Sequence, residues 1–116
     1  MKIIVVCNKD NLDKYKKIGA QAFIFGLKDF SSGYDNELSV QEIKELVEDN
    51  KDSEIFISIN KNIFNEELDE LKDNLLELDK LSIKGILFYD VAILKFKKDL
   101  NLKTPLVWNC RSAPWQ

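Results

Sequence analysis

Ile55-Phe56-Ile57-Ser58-Ile59-Asn60, a leucine stripe at Leu68, Leu71, Leu75, Leu78 and Leu81, and then Gly85-Ile86-Leu87-Phe88-Tyr89-Asp90 form the stretch whose reading decides the fold. Its outer pieces are short, apolar at nearly every position and rich in Ile and Phe, the pattern of strands in a parallel sheet covered on both faces. The piece between them repeats its apolar residues at helical spacing. Asn65 is placed to cap that helix, and Glu66 and Glu67 suit its positive end. The leucines span barely two heptads and have strands on either side to cover, so they belong to a core and not to a zipper. Strand, helix, strand in this order is a crossover unit, and such units are right-handed.

The same alternation extends in both directions. Further strands are expected at Ile3 to Cys7, Ala22 to Phe25 and Leu106 to Trp108. A first helix carries Leu12, Tyr15 and Ile18 and stops at Gly19, after Lys14, Lys16 and Lys17. A second opens with the capping box Ser39-Val40-Gln41-Glu42 and shows Ile43, Leu46 and Val47 as its apolar stripe. A fourth begins after Asp90, carries Ile93, Leu94 and Phe96, and ends among Lys95, Lys97 and Lys98. The fold class is therefore α/β: five mostly parallel strands alternating with four helices. Two architectures suit that order: a (βα)₄β half of a TIM-type barrel, which needs about 250 residues to close, or an open flavodoxin-like sheet. Residues 1–109 read as a single α/β domain and 110–116 as an atypical C-terminal tail. With 116 residues, the chain has room for one such domain.

Composition removes whole classes of chemistry. Histidine is absent, which excludes a Ser-His-Asp triad, a Cys-His pair and His-ligated zinc within the chain. Arg111 is the single arginine, so bidentate guanidinium clamps are nearly excluded. A net charge of -3 offers no general attraction to nucleic acid or anionic membrane. No apolar run reaches membrane-spanning length, and the opening Ile3 to Cys7 lacks the form of a signal peptide, so a cytoplasmic protein is expected. Cys7 and Cys110 make no disulfide scaffold there, and Cys7, without a neighbouring base, reads as a small buried hydrophobe. There is no GxGxxG or GxxxxGK[ST], so a nucleotide site has no support and no cofactor is expected.

Polar residues follow four of the strands: Asn8, Asn60, Asp90 and Asn109. In parallel α/β folds those carboxyl ends share one rim, where ligands bind. The second strand leads instead through Gly26 into a connection from Leu27 to Leu38, longer than the usual βα loop of about 2 to 6 residues and holding Lys28, a possible carboxylate anchor. Each of these residues also has a structural reading. Asp90 stands where a helix N-cap belongs as well as where a general acid or base would act, strand-end amides bond loop backbones, and a lysine can simply be solvated. A receiver-like phosphorylation domain is disfavoured because Asn8-Lys9 stands where its acidic pair would be.

Taken together, several short segments resemble the amino-terminal region of the collagenase-like peptidases, peptidase family U thirty-two. They are Gly19-Ala20-Gln21-Ala22-Phe23-Ile24-Phe25-Gly26, then Phe30-Ser31, then Leu38-Ser39-Val40-Gln41-Glu42-Ile43. Ile59-Asn60 with Asn65-Glu66-Glu67-Leu68, Gly85 to Asp90, and Pro105-Leu106-Val107-Trp108-Asn109 continue the likeness in order, from about residue 3 to 109. The resemblance implies a barrel-type fold, peptidase activity in some members, and a peptide substrate. The chain departs from the pattern at Gln21, where the family has Asp, and after Ser31, where a basic residue is expected. The family's cysteine-containing signature is not present, and an iron-sulfur site needs about four thiolates. The reading is therefore a truncated or partial member of the family without full catalytic machinery of its own. The alternative is a non-enzymatic ligand- or partner-binding module. Because Cys110 to Gln116 breaks the composition of the rest, a frameshift or truncation product is expected there as against a native ending. Uncovered sheet edges lead to an expectation of self-association.

Overall fold

The computed structural model describes residues 4–6, 8–31, 37–59, 64–88 and 90–108. The chain runs β1 (Ile4–Val6), α1 (Leu12–Lys17), β2 (Ala22–Leu27), β3 (Glu37–Leu38), α2 (Val40–Asp49), β4 (Glu54–Ile59), α3 (Leu68–Asp79), β5 (Gly85–Phe88), α4 (Ala92–Asp99) and β6 (Leu106–Trp108). All pairings are parallel, in the order β1-β2-β4-β5-β6, with β3 beside β2. β4 pairs with β2 from Ala22 to Gly26, so β3, which meets Gly26 and Leu27, lies on the same side of β2 as β1 and extends that edge.

Apart from the two-residue β3, which falls back to the β1 side of β2, the strands of the main path β1-β2-β4-β5-β6 follow one another in a single direction. With right-handed connections this places all the crossover helices on one face, the winding of a barrel wall. A flavodoxin-like sheet reverses direction after its first strand. That reversal is absent, and the open flavodoxin-like alternative is corrected to a singly wound sheet.

Register separates two faces. Phe23, Phe25, Ile55, Ile57, Ile59 and Ile86 are at most 1% exposed and form one core with the helix residues Leu12, Ile43, Leu46, Leu71, Leu75, Leu78 and Ile93. Removing each such side chain from water contributes roughly 1.5–3 kcal/mol. The central leucine stripe is therefore core, as its spacing requires. On the other face lie Ile4, Val6, Ala22, Ile24, Phe56, Gly85, Leu87 and Val107, none of which belongs to that core cluster. Burial on both faces, inferred from the unbroken apolar runs, holds only in part: Ile4, Val6 and Val107 are exposed. Gly85 leaves room for its neighbour, since a Cβ there would lie 3.3 Å from the Phe56 ring and 3.3 Å from the Pro105 carbonyl oxygen.

Local signals set the helix ends. Ser39 Oγ accepts from Glu42 N–H at 3.2 Å while the Glu42 carboxylate accepts from Ser39 N–H at 3.1 Å, which is the expected capping box. α1 closes in a Schellman turn: Ala20 N–H donates to Tyr15 C=O at 3.0 Å and Gly19 N–H to Lys16 C=O at 3.1 Å, with Gly19 at φ 99°. α4 closes in the same way, with Asn101 at φ 53° in the glycine position. Ile18, expected on the buried stripe, follows the last turn of α1 and is 68% exposed. Asn65 is not the cap of α3. It begins a 3₁₀ turn, Asn65–Glu67, that follows Phe64 in the cap position, and the Glu67 carboxylate accepts from Phe64 N–H at 3.1 Å.

Gly19→Ala tests the α1 stop. No atom lies within 4 Å of the added Cβ, so the penalty is conformational alone. The urea midpoint should fall by an amount equivalent to about 1 kcal/mol, with an unchanged m-value.

Candidate functional site

The rim is built where parallel strands end. After β1, Asn8 is extended at φ -95°, ψ 166°, and its Oδ1 accepts from Asn11 N–H at 3.1 Å, capping the 3₁₀ turn Lys9–Asn11. This polar group of Asn8 serves its own loop. Lys9 then reaches across to α2, its Nζ 2.9 Å from Glu42 Oε2. The hydrogen bond to Glu42 raises the Lys9 ammonium above its ordinary value, and the same contact, together with the Ser39 backbone, lowers the Glu42 carboxyl. Both side chains are well exposed, so the pair positions the β1 loop more than it stabilises it.

Beyond β2 the chain does not become a plain loop at Gly26. Gly26 and Leu27 stay in the sheet because β3 pairs with them, and Lys28 N–H continues the ladder to Leu38 C=O at 2.9 Å. The two-residue strand β3 is too short to leave a periodic signal, which is why the sequence shows only a long connection there. Asp29 turns the chain with φ 72°, Phe30 is fully buried, and Ser31 is 5% exposed. Among the described residues the Ser31 Oγ has no hydrogen-bond partner, whereas a serine nucleophile requires an adjacent base.

Lys28 is exposed and borders an open hollow of about 300 Å³ at the rim, lined also by Asp29, Ser39, Gln41, Glu70 and Asn74. Glu70 and Asn74, on the first two turns of α3, carried no sequence signal; only the packing of α3 beside α2 brings them to Lys28. Asn8 and Asp90 do not line this hollow. A larger hollow of about 420 Å³ lies at the opposite pole, where α2 and α3 lead back into β4 and β5, among Lys44, Lys51 and Lys80. It is remote from the strand ends that carry chemistry in such folds.

Asp90 follows β5 and is partly buried. The N-cap position of α4 belongs to Val91, and the Asp90 carbonyl accepts from Ile93 N–H at 3.1 Å. β1 and β5 are three strand intervals apart, which separates Asn8 from Asp90 by roughly 14 Å along the sheet. They cannot act on one atom, but an extended chain of about four residues spans that distance. Asn60 and Asn109, the other expected rim residues, lie outside the described residues, as do Cys7, Cys110 and the tail 110–116. Among the described residues no group of three His, Cys, Asp or Glu side chains could hold a metal ion. Among them, too, no helix is long and apolar enough to cross a membrane.

The model of peptidase family U32 matches residues 8–111, nearly the whole chain. No curated protein and no solved structure matches it.

Proposed function

Because the chain belongs to peptidase family U32, we propose that it forms the amino-terminal part of a collagenase-like peptidase barrel and binds a peptide at its strand-end rim, without a complete catalytic set of its own. The observation that carries this reading is the sequential parallel strand order within the family match, which gathers Asn8, Lys28 and Asp90 at one end of the sheet. Amide and lysine groups on such a rim suit the carbonyls and the carboxylate of a peptide. The absence of histidine from the chain and a Ser31 hydroxyl without a partner among the described residues favour binding over cleavage. The family's activity is hydrolytic, and a chain with only two cysteines accords with a cytoplasmic setting.

Fluorescence anisotropy with labelled gelatin peptides tests this. The purified chain should bind, Asp90→Asn and Lys28→Ala should each weaken binding about tenfold, equivalent to ~1.4 kcal/mol, and no cleavage should accompany binding. Hydrolysis abolished by Asp90→Asn would instead make the chain a complete enzyme. A second reading, a non-enzymatic binding module, draws on the hollow beside Lys28: Glu70→Lys would then abolish capture of a cationic ligand while leaving gelatin peptides unbound.

A further inference from the structure

The hollow of about 420 Å³ at the pole opposite the rim is bordered by one dominant charge. Lys44 on α2, Lys51 in the turn after it and Lys80 at the end of α3 line it, and Glu48 is the one carboxylate beside them: three ammonium groups against one, a net of +2. The chain as a whole carries -3, so this patch runs against the overall balance, and a concave surface focuses such a field. Lys44 and Lys51 form no ion pair among the described residues. Lys80 meets Glu77 at 3.3 Å, but both side chains are well exposed and water screens the pair. The nearby Asp52 is held at 3.3 Å by Lys16 of α1. Cations after helix ends suit the helix dipole, which accounts for Lys51 and Lys80 singly; Lys44 stands in the middle of α2 and has no such reason. The walls are fixed. Asn50, 8% exposed, has its whole amide engaged, with Nδ2 donating to Leu46 C=O at 2.9 Å and Oδ1 accepting from Lys16 Nζ at 3.1 Å. Ser53 N–H donates to Asn50 C=O and Leu81 N–H to Leu78 C=O, each at 3.0 Å.

We propose that this hollow binds a small molecule through a phosphate monoester group. Charge makes the match: such a group carries about -1.5 to -2 at neutral pH, which neutralises the lining, whereas a carboxylate or a phosphodiester brings a single charge. Residue type points the same way. Lysine binds phosphate as a point charge, while the planar carboxylate is best served by arginine forks, and no arginine borders the hollow. Ser53 and Ser82 add neutral hydroxyl donors for the remaining phosphate oxygens. The volume falls within the ~300–1,000 Å³ of small-molecule sites, leaving room for an organic part whose hydroxyls Glu48 can accept. The surroundings are settled within the described residues. β4 and β5 are each paired on both sides, and α2 and α3 are the successive helices over them. Strands that complete a barrel would pair beyond β1 and β6, not here. The hollow also lies at the opposite end of the sheet from the peptide rim, so neither reading depends on the other.

Amide spectra of the ¹⁵N-labelled full chain, titrated with glycerol phosphate near neutral pH at constant ionic strength, test this. The amides of Lys44, Lys51, Ser53 and Ser82 should shift together and saturate. Lys51→Ala combined with Lys80→Ala should weaken binding at least about tenfold, and Glu48→Gln should tighten it. Lys98→Ala, an exposed lysine on α4 away from the hollow, should leave the affinity unchanged. Inorganic phosphate should act on the same amides more weakly; equal affinity would assign the site to the free anion and overturn the ester. Acetate or dimethyl phosphate binding as tightly as glycerol phosphate overturns the proposal too, because each carries one charge. So do shifts that sodium chloride alone reproduces, and the absence of any saturable shift. Should the double variant unfold, the comparison of glycerol phosphate with dimethyl phosphate on the unaltered chain decides by itself. Lys28 and Asp90 are untouched throughout, so a failure here leaves peptide binding at the rim standing.

Discussion

Leu75→Ala is expected to lower the unfolding free energy by about 3 kcal/mol, while Leu76→Ala, one residue along the same helix, changes it by less than ~1 kcal/mol. Leu75 is fully buried between α3 and the sheet, within the cluster that includes Leu71, Leu78, Ile57 and Ile86. Truncation there removes the transfer free energy of the lost carbons and leaves a cavity that the surrounding β-branched side chains refill poorly; such replacements cost about 2–5 kcal/mol. Leu76 faces outward and is 41% exposed, so most of its surface is hydrated in both states. Since a domain of this size has a total stability of about 5–15 kcal/mol, the Leu75 loss should appear as a large drop in urea midpoint. Equal losses for the two variants would mean that α3 does not present the Leu71-Leu75-Leu78 face to the sheet.

That contrast between neighbours also shows what was legible in the chain. Leu71, Leu75 and Leu78 announce their face because a helix repeats its environment every three or four residues, and Ser39 with Glu42 announces its cap because both partners sit within one turn. The strands were visible for a related reason: crossover helices bury one face completely, and the other face, Glu54 and Ser58 apart, carries mostly apolar side chains. The same unbroken run concealed which face is open, so Val6 and Val107 looked no different from Val5. β3 was hidden because two residues carry no period, and its existence depends on Gly26 and Leu27 continuing to pair. Asn101 offered a readable signal, a residue tolerant of positive φ directly after a helix, whereas Glu70 and Asn74 become neighbours of Lys28 only through tertiary packing. At the rim, Asn8 could be read either as ligand or as cap from sequence. The structure shows its Oδ1 on Asn11 N–H, a contact three residues away that the Asn8-Lys9-Asp10-Asn11 segment already allows.

Asp79 marks the limit of such reading, because its partners are about 25 residues away. At the end of α3 its Oδ1 accepts from Lys103 N–H, Thr104 N–H and the Thr104 hydroxyl, each at 2.8 Å. Lys97 secures the same segment from α4, donating to Leu102 C=O at 3.2 Å and Thr104 C=O at 3.1 Å. Together they fix the turn that aims β6 into the sheet. Burial pushes the Asp79 carboxyl up, but the three donors outweigh it and hold the group below the usual carboxylate range. Asp79→Ala leaves the buried Thr104 N–H and hydroxyl without their acceptor, and should cost about 2–3 kcal/mol. Asp79→Asn keeps an acceptor oxygen without its charge and should cost roughly half as much. The pH dependence has a definite sign: with a folded pKa below the unfolded one, the stability from this carboxylate is fully present above about pH 4 and is lost as pH falls through the folded value. The gap between parent and Asp79→Ala in urea midpoint should therefore be constant from neutral pH down to about pH 4, then narrow as the pH falls further. A gap that stayed constant over the acidic range would show that the ionised carboxylate is not what holds the β6 turn.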